Sequence, residues 1–124
     1  LRGLHFQNPP YSQGKLVRVV NGSVLDVVVD LRRNSATYGK NFSIILNSLN
    51  KKIFWIPPGF AHGFLSLEDE TVFCYKCTGR YNRDAEETLL WNDPTLDISW
   101  GINKPIVSSK DLKGVSFTDF STQF

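Results

Sequence analysis

Apolar and polar residues alternate with a period of two through most of this chain. That is the signature of half-buried β-strands, and no apolar stripe repeats at helical spacing over more than a turn or two. Strands are expected at the opening segment 1–7, and at 15–20, 23–31, 42–46, 53–56, 63–67, 71–77 and 96–100. Turn-forming clusters separate them, among them Arg33-Asn34-Ser35, Pro57-Pro58-Gly59, Glu68-Asp69-Glu70 and Asn92-Asp93-Pro94. Residues 84–90 read as one or two helical turns. Residues 111–124 are weakly patterned and are expected to close over a barrel mouth. Many short strands with regular turns predict an all-β sandwich or jelly-roll barrel, and a small barrel can hold one ligand inside.

Asn21-Gly22 lies between two alternating runs, the strongest short signal for a two-residue hairpin. Folded that way, Lys15, Val17 and Val19 share a face with Val24, Asp26, Val28 and Asp30. The other face carries Leu16, Arg18 and Val20 with Leu25, Val27, Val29 and Leu31, and it reads as the core between sheets. The first face reads either as solvent-facing or as an enclosed polar cavity. Its valines favour the cavity, whereas its charges favour solvent.

Composition narrows the possibilities. The 124 residues are enough for one domain, and 41% hydrophobic with 13% aromatic residues is enough for a packed core. A net charge of +2 without basic blocks gives no case for nucleic acid or an anionic membrane. No apolar run reaches membrane-spanning length. Cys74 and Cys77 form a C-x-x-C, but inside an expected strand they point to opposite faces. Two reduced cysteines of a cytoplasmic protein are the simpler reading. The chain has no Met and opens directly on a strand, so residues are expected to precede Leu1.

Candidate chemistry is sparse. There are two histidines, His5 in the opening strand and His62 in Pro57-Pro58-Gly59-Phe60-Ala61-His62, a turn entering a strand. A shielded histidine suits proton transfer near neutral pH. A metal site fits poorly. Cupin barrels bind metal through His-x-His, a Glu and a later His, whereas His5-Phe6-Gln7 lacks the second His and no Glu lies between His5 and His62. Lys15 and Arg18 would oppose a divalent ion. Tyr75 is either core packing or a proton donor into a polar cavity. Tyr81, between Arg80 and Arg83, reads as a solvated loop or as a base-stacking residue flanked by phosphate ligands.

Several strings, in order through nearly the whole chain, resemble the dTDP-4-dehydrorhamnose 3,5-epimerases of the cupin superfamily. They are Leu1-Arg2-Gly3-Leu4-His5-Phe6-Gln7, Gln13-Gly14-Lys15-Leu16-Val17-Arg18-Val19, residues 22–32, residues 56–64, Tyr75-Lys76, Trp91-Asn92-Asp93-Pro94 and Ser109-Lys110-Asp111. The resemblance implies a single jelly-roll domain over 1–124, a homodimer, a cytoplasmic enzyme, and neither cofactor nor metal. It also implies a segment before Leu1 that helps hold the nucleotide across the dimer. The implied substrate is dTDP-4-dehydro-6-deoxy-D-glucose, epimerised at C3 and C5 to dTDP-4-dehydro-L-rhamnose. The implied roles are His5 as general base held by Asp111, Tyr75 as general acid, and Lys15 at the enolate oxygen. Arg2, Gln7, His62, Glu86 and Lys110 match substrate-binding positions, and Tyr81 a thymine-stacking one. Rival readings are a single-position 3- or 5-epimerase, a 3,4-ketoisomerase, a metal cupin, or a non-catalytic sugar-binding cupin. Strict alternation sets Arg2 opposite His5, so the shared site requires a kink at Gly3.

Overall fold

The computed structural model describes residues 1–124. Eight strands form two antiparallel sheets of a jelly-roll barrel. They are β1 (Arg2–Gln7), β2 (Lys15–Asn21), β3 (Ser23–Asp30), β4 (Asn41–Asn47), β5 (Ile53–Ile56), β6 (Phe60–Ser66), β7 (Val72–Cys77) and β8 (Glu86–Thr88). The larger sheet runs β4-β3-β6-β1-β8 and the smaller β5-β2-β7. Helix is confined to two single 3-10 turns, Arg83–Ala85 and Asp111–Lys113. The first lies at the edge of the expected 84–90 turn, and the chain then continues as β8 rather than as a second turn. Asn82 caps it, its side-chain oxygen accepting from the Asp84 and Ala85 amides.

The expected β2–β3 hairpin is not formed. β2 pairs with β5 and β7, whereas β3 pairs with β4 and β6. Asn21-Gly22 is therefore a corner that carries the chain from one sheet to the other. Gly22 takes φ 80°, and a Cβ there would lie 2.9 Å from the Thr71 Cα. The physical reason is that β3 is buried on both faces. A strand apolar on both sides belongs inside a covered sheet, flanked on both edges.

The facing of β2 is reversed from the expected core assignment. Leu16, Arg18 and Val20 are exposed, while Val17 and Val19 are buried. Val17 and Val19 pack with Val24, Val28, Leu46 and Ile56 between the two sheets. The Lys15/Asp26 face is thus the barrel interior, and the enclosed-cavity alternative is the one realised. Asp30, expected on that face too, sits at the end of β3 and belongs to the following turn. It accepts from the Arg32 amide and guanidinium and from Ser35 and Thr37 at 2.6–2.9 Å. Burial opposes its charge, but these donors hold its carboxyl far below the usual carboxylate range.

The other face of β3 makes a second core. Val27, Val29 and Leu31 pack with Leu4, Phe6, Ala61 and Leu65 on the outside of the larger sheet. Beyond the turn at Asp111–Lys113, the C-terminal segment covers this outer face instead of the barrel mouth. Phe117, Phe120 and Phe124 pack on that core, and the Phe6 ring meets Phe120 edge-on at 5.3 Å. Large aromatic surfaces must be covered, and the outer face of β1, β3 and β6 is the apolar surface available to them. Residues 96–100 do not form a strand. Asp93 Oδ1 accepts from the Thr95 and Leu96 amides, which curls the chain, and Leu96 and Trp100 anchor the turn in the same core.

Candidate active site

A cavity of about 320 Å³ opens between the sheets, lined by Arg2, His5, Lys15, His62, Tyr75, Glu86 and neighbours. Arg2 and His5 reach it together because β1 is kinked. Its register against β6 shifts between those two residues, and Gly3 takes φ 118°. A Cβ on Gly3 would lie 2.5 Å from the Gly63 Cα, so this crossing requires two glycines.

His5 Nε2 lies 2.6 Å from Asp111 Oδ1. Asp111 comes from the 3-10 turn 106 residues later, and its other oxygen accepts from the Gly3 amide at 3.2 Å. The Asp111 amide donates to Ser108 Oγ. Burial pushes the Asp111 carboxyl up, but the hydrogen bond and charge of His5, the Gly3 amide and Ser108 outweigh it, and the net shift is downward. Burial also lowers the His5 pKa, and Asp111 offsets only part of that. The pair at neutral pH is therefore a carboxylate and a neutral imidazole. A carboxylate only accepts, so Nε2 carries the hydrogen and Nδ1 keeps the free lone pair. An imidazole held this way can accept a proton through Nδ1.

Lys15 comes from the opposite sheet and donates to the His5 carbonyl at 3.3 Å. Burial lowers its pKa, while Cys77, Glu86 and Asp26 favour its charge and Arg2 opposes it. Tyr75 stands on β7, opposite Val17 of β2 and half exposed. The base thus belongs to one sheet, and the phenol and the ammonium to the other. A planar intermediate held between the sheets would meet them from different sides.

At the cavity rim, Glu86 on β8 accepts from the Tyr81 hydroxyl at 2.8 Å and from Lys110. These donors outweigh burial and hold the Glu86 carboxyl below its ordinary range. The Glu86 carboxylate in turn raises the Tyr81 hydroxyl pKa. Tyr81 is largely exposed, with Arg80 and Arg83 beside it in the same loop. Gln7 and Lys110 do not line the cavity. Gln7 is buried behind its wall, where its amide donates to the Tyr11 and Arg80 carbonyls and accepts from the Asn82 amide. It ties the Tyr81 loop to β1.

Several groups at the cavity carry no role in the sequence reading. Phe64 and Phe73 meet at 4.6 Å between ring centroids and form an apolar wall. Asp26 lies beneath His62, whose Nε2 is 2.9 Å from Asp26 Oδ2. The signal for Asp26 was an acid alternating with valines, which solvent exposure explains equally well. Cys77 lines the cavity, Cys74 does not, and both are free. No three His, Cys, Asp or Glu residues cluster as a metal site would require.

The family profile described as dTDP-4-dehydrorhamnose 3,5-epimerase matches residues 1–119. A dTDP-4-dehydrorhamnose 3,5-epimerase from Shigella flexneri is 49% identical over 119 residues, covering 96% of this chain and 66% of its own length. The crystal structure of one from Elizabethkingia anophelis superposes with a TM-score of 0.93 at 45% identity, covering 95% of this chain and 66% of that one. The Legionella pneumophila dTDP-6-deoxy-D-glucose-3,5-epimerase, solved with dTDP-4-keto-L-rhamnose, gives 0.91 at 42% identity, with 97% and 64% covered. The chain therefore spans somewhat less than two thirds of the length of these relatives.

Proposed function

The chain belongs to the dTDP-4-dehydrorhamnose 3,5-epimerase family, and from that premise we propose that it inverts C3 and C5 of dTDP-4-dehydro-6-deoxy-D-glucose, giving dTDP-4-dehydro-L-rhamnose. The observation that carries this reading is the division of the chemistry between the sheets, with the His5–Asp111 pair on one side and Tyr75 and Lys15 on the other. Both reacting carbons adjoin the C4 ketone. His5 Nδ1 takes the proton from one of them, and the C–H electrons move into the carbonyl to form an enolate. Lys15 stands at the developing oxyanion, where a cation in a water-poor site lowers the barrier most. Tyr75 returns a proton to the opposite face of the same carbon, which inverts it. Solvent then resets both groups, and the cycle repeats at the second carbon. An aimed base contributes roughly 10²- to 10⁴-fold to such a step.

The rim suits the nucleotide end of the substrate. Tyr81 offers an exposed ring, and Glu86 pairs with Lys110 beside it. Arg2 adds a cation to the cavity wall. The outer face of the smaller sheet exposes Leu16, Val20, Ile53 and Trp55, an apolar surface that a homodimer would cover. Sedimentation of the protein across a concentration range tests the dimer. No helix is long and apolar enough to cross a membrane, and the free cysteines suit a reducing cytoplasm.

Product formed in deuterated water and examined by NMR tests the reaction. Deuterium at both C3 and C5 is expected, and exchange at a single carbon would make the protein a single-position epimerase. Exchange that persists in the His5→Ala variant would remove the proposed base.

A further inference from the structure

Asp26 is an acid with no part in the proton transfers above. It lies on β3 between Val24 and Val28, facing the cavity side, and is fully buried. Its Oδ2 meets His62 Nε2 at 2.9 Å, and its Oδ1 is buried without a hydrogen-bond partner. Asp30, on the same strand and equally buried, is surrounded by donors. A carboxylate kept out of water with half its acceptors unused is a poor structural device, because its desolvation is not compensated. Its charge, however, acts through a medium that screens it little.

We propose that Asp26 is a positioning residue for the reaction: it fixes the His62 ring with Nε2–H turned away from the sugar. The inference rests on the epimerase reading of the same cavity. With Nε2 committed to Asp26, Nδ1 is the His62 nitrogen left for substrate. Lys15 is drawn toward its neutral form by burial, and Asp26 is among the groups that oppose this. The other charged or titratable groups lining the cavity with Lys15 are Arg2 and His5 from β1, His62 from β6, Tyr75 and Cys77 from β7, Tyr81 from the loop after β7, and Glu86 from β8. Of these, Arg2 works against the ammonium, while Cys77 and Glu86 favour it. Asp26 differs from Cys77 and Glu86 in being wholly removed from solvent.

The test is Asp26→Asn, which keeps shape and removes charge. Turnover should fall roughly 10- to 100-fold, as when an orienting partner is lost, with KM much less affected. Removing a negative charge beside a cation lowers the cation's pKa, so the alkaline limb of kcat/KM should move to lower pH. Two readouts need no substrate. In the ligand-free protein, the Lys15 side-chain NMR titration should also move to lower pH, and the ¹⁵N signals of His62 should lose the single Nε2–H tautomer. Asp30→Asn is the comparison: it should lower the melting temperature and leave the His62 tautomer, the Lys15 titration and the limb in place. Should the amide prevent folding, Asp26→Val suits the flanking valines and carries the same expectation for His62. A folded Asp26 variant with an unchanged His62 tautomer would overturn the proposal. Lack of epimerase activity in the unmodified protein would overturn the functional reading alone, since the ligand-free His62 signals still decide the role of Asp26.

Discussion

Two histidine–aspartate pairs share this cavity, and they are built differently. His5 and His62 are direct cross-strand neighbours on β1 and β6. The partner of His5 arrives from a 3-10 turn 106 residues away, and His5 keeps 14% of its side-chain surface exposed. The partner of His62 is 36 residues away on β3, inside the same sheet, with side-chain exposures of 8% and 0% for the pair. The His5 pair keeps more of its surface open to the cavity, whereas the His62 pair is almost wholly buried within one sheet. On the reading proposed above, the same two residue types serve as a base in one place and as a fixed scaffold in the other, and the difference in burial is what separates them.

The contrast is broken most directly at His5. His5→Ala should lower the rate of deuterium incorporation into substrate by up to about 10⁴-fold, with some loss of melting temperature because buried Asp111 loses its partner. An equal loss in His62→Ala would erase the distinction between the pairs. Asp111→Asn should reduce kcat roughly 10- to 100-fold, since the imidazole loses a charged acceptor and, where the amide NH2 faces it, its fixed tautomer. If that variant matches the unmodified enzyme, the pair has no orienting role.

pH sharpens the comparison next. Burial lowers the His5 pKa, so the acid limb of kcat/KM should lie below the ordinary histidine value of ~6.5. In Asp111→Asn the partner that raises that pKa is gone, and the limb should move lower still. The Asp111 carboxyl itself is shifted down in the folded protein. Its contribution to stability is therefore present above the ordinary carboxylate pKa and is lost as pH falls through the folded value. Urea titrations of Asp111→Asn should accordingly show less acid sensitivity than those of the unmodified protein. The smallest effect on activity is expected far from both pairs. Phe120→Ala should cost about 2 kcal/mol in urea unfolding by uncovering the Phe6 core, and should leave kcat within a few-fold.

Much of the site was legible because β-strands alternate. Phe73, Tyr75 and Cys77 share one face of β7, and all three line the cavity as period two requires. The requirement for a kink at Gly3 followed from the same rule, since Arg2 and His5 differ by an odd number of positions, and the register does shift there. The rule was silent where long-range packing decides. Nothing local distinguishes Asp26 on the cavity floor from a solvated acid, or from Asp30 bound into a turn. The Asn21-Gly22 signal marked a break between strands, where Gly22 takes φ 80°, but the hairpin it predicted is absent because which strand lies beside β2 is not a local property. Residues 96–100 failed for a similar reason: Leu96, Ile98 and Trp100 alternate as in a strand, but Leu96 and Trp100 anchor a turn in the core.

The sequence by itself determined that this is a small all-β barrel, where most strands begin and end, and which side chains are candidates for proton transfer. Those properties depend on φ/ψ preference and side-chain period, which short stretches of chain express on their own. Only the tertiary structure decided which strands are neighbours, which face of β2 looks inward, and where the C-terminal phenylalanines lie. It alone delivers Asp111 to His5 and buries Asp26 beneath His62. Those outcomes depend on covering two apolar faces of one sheet at once, and that balance of burial is a property of the whole chain.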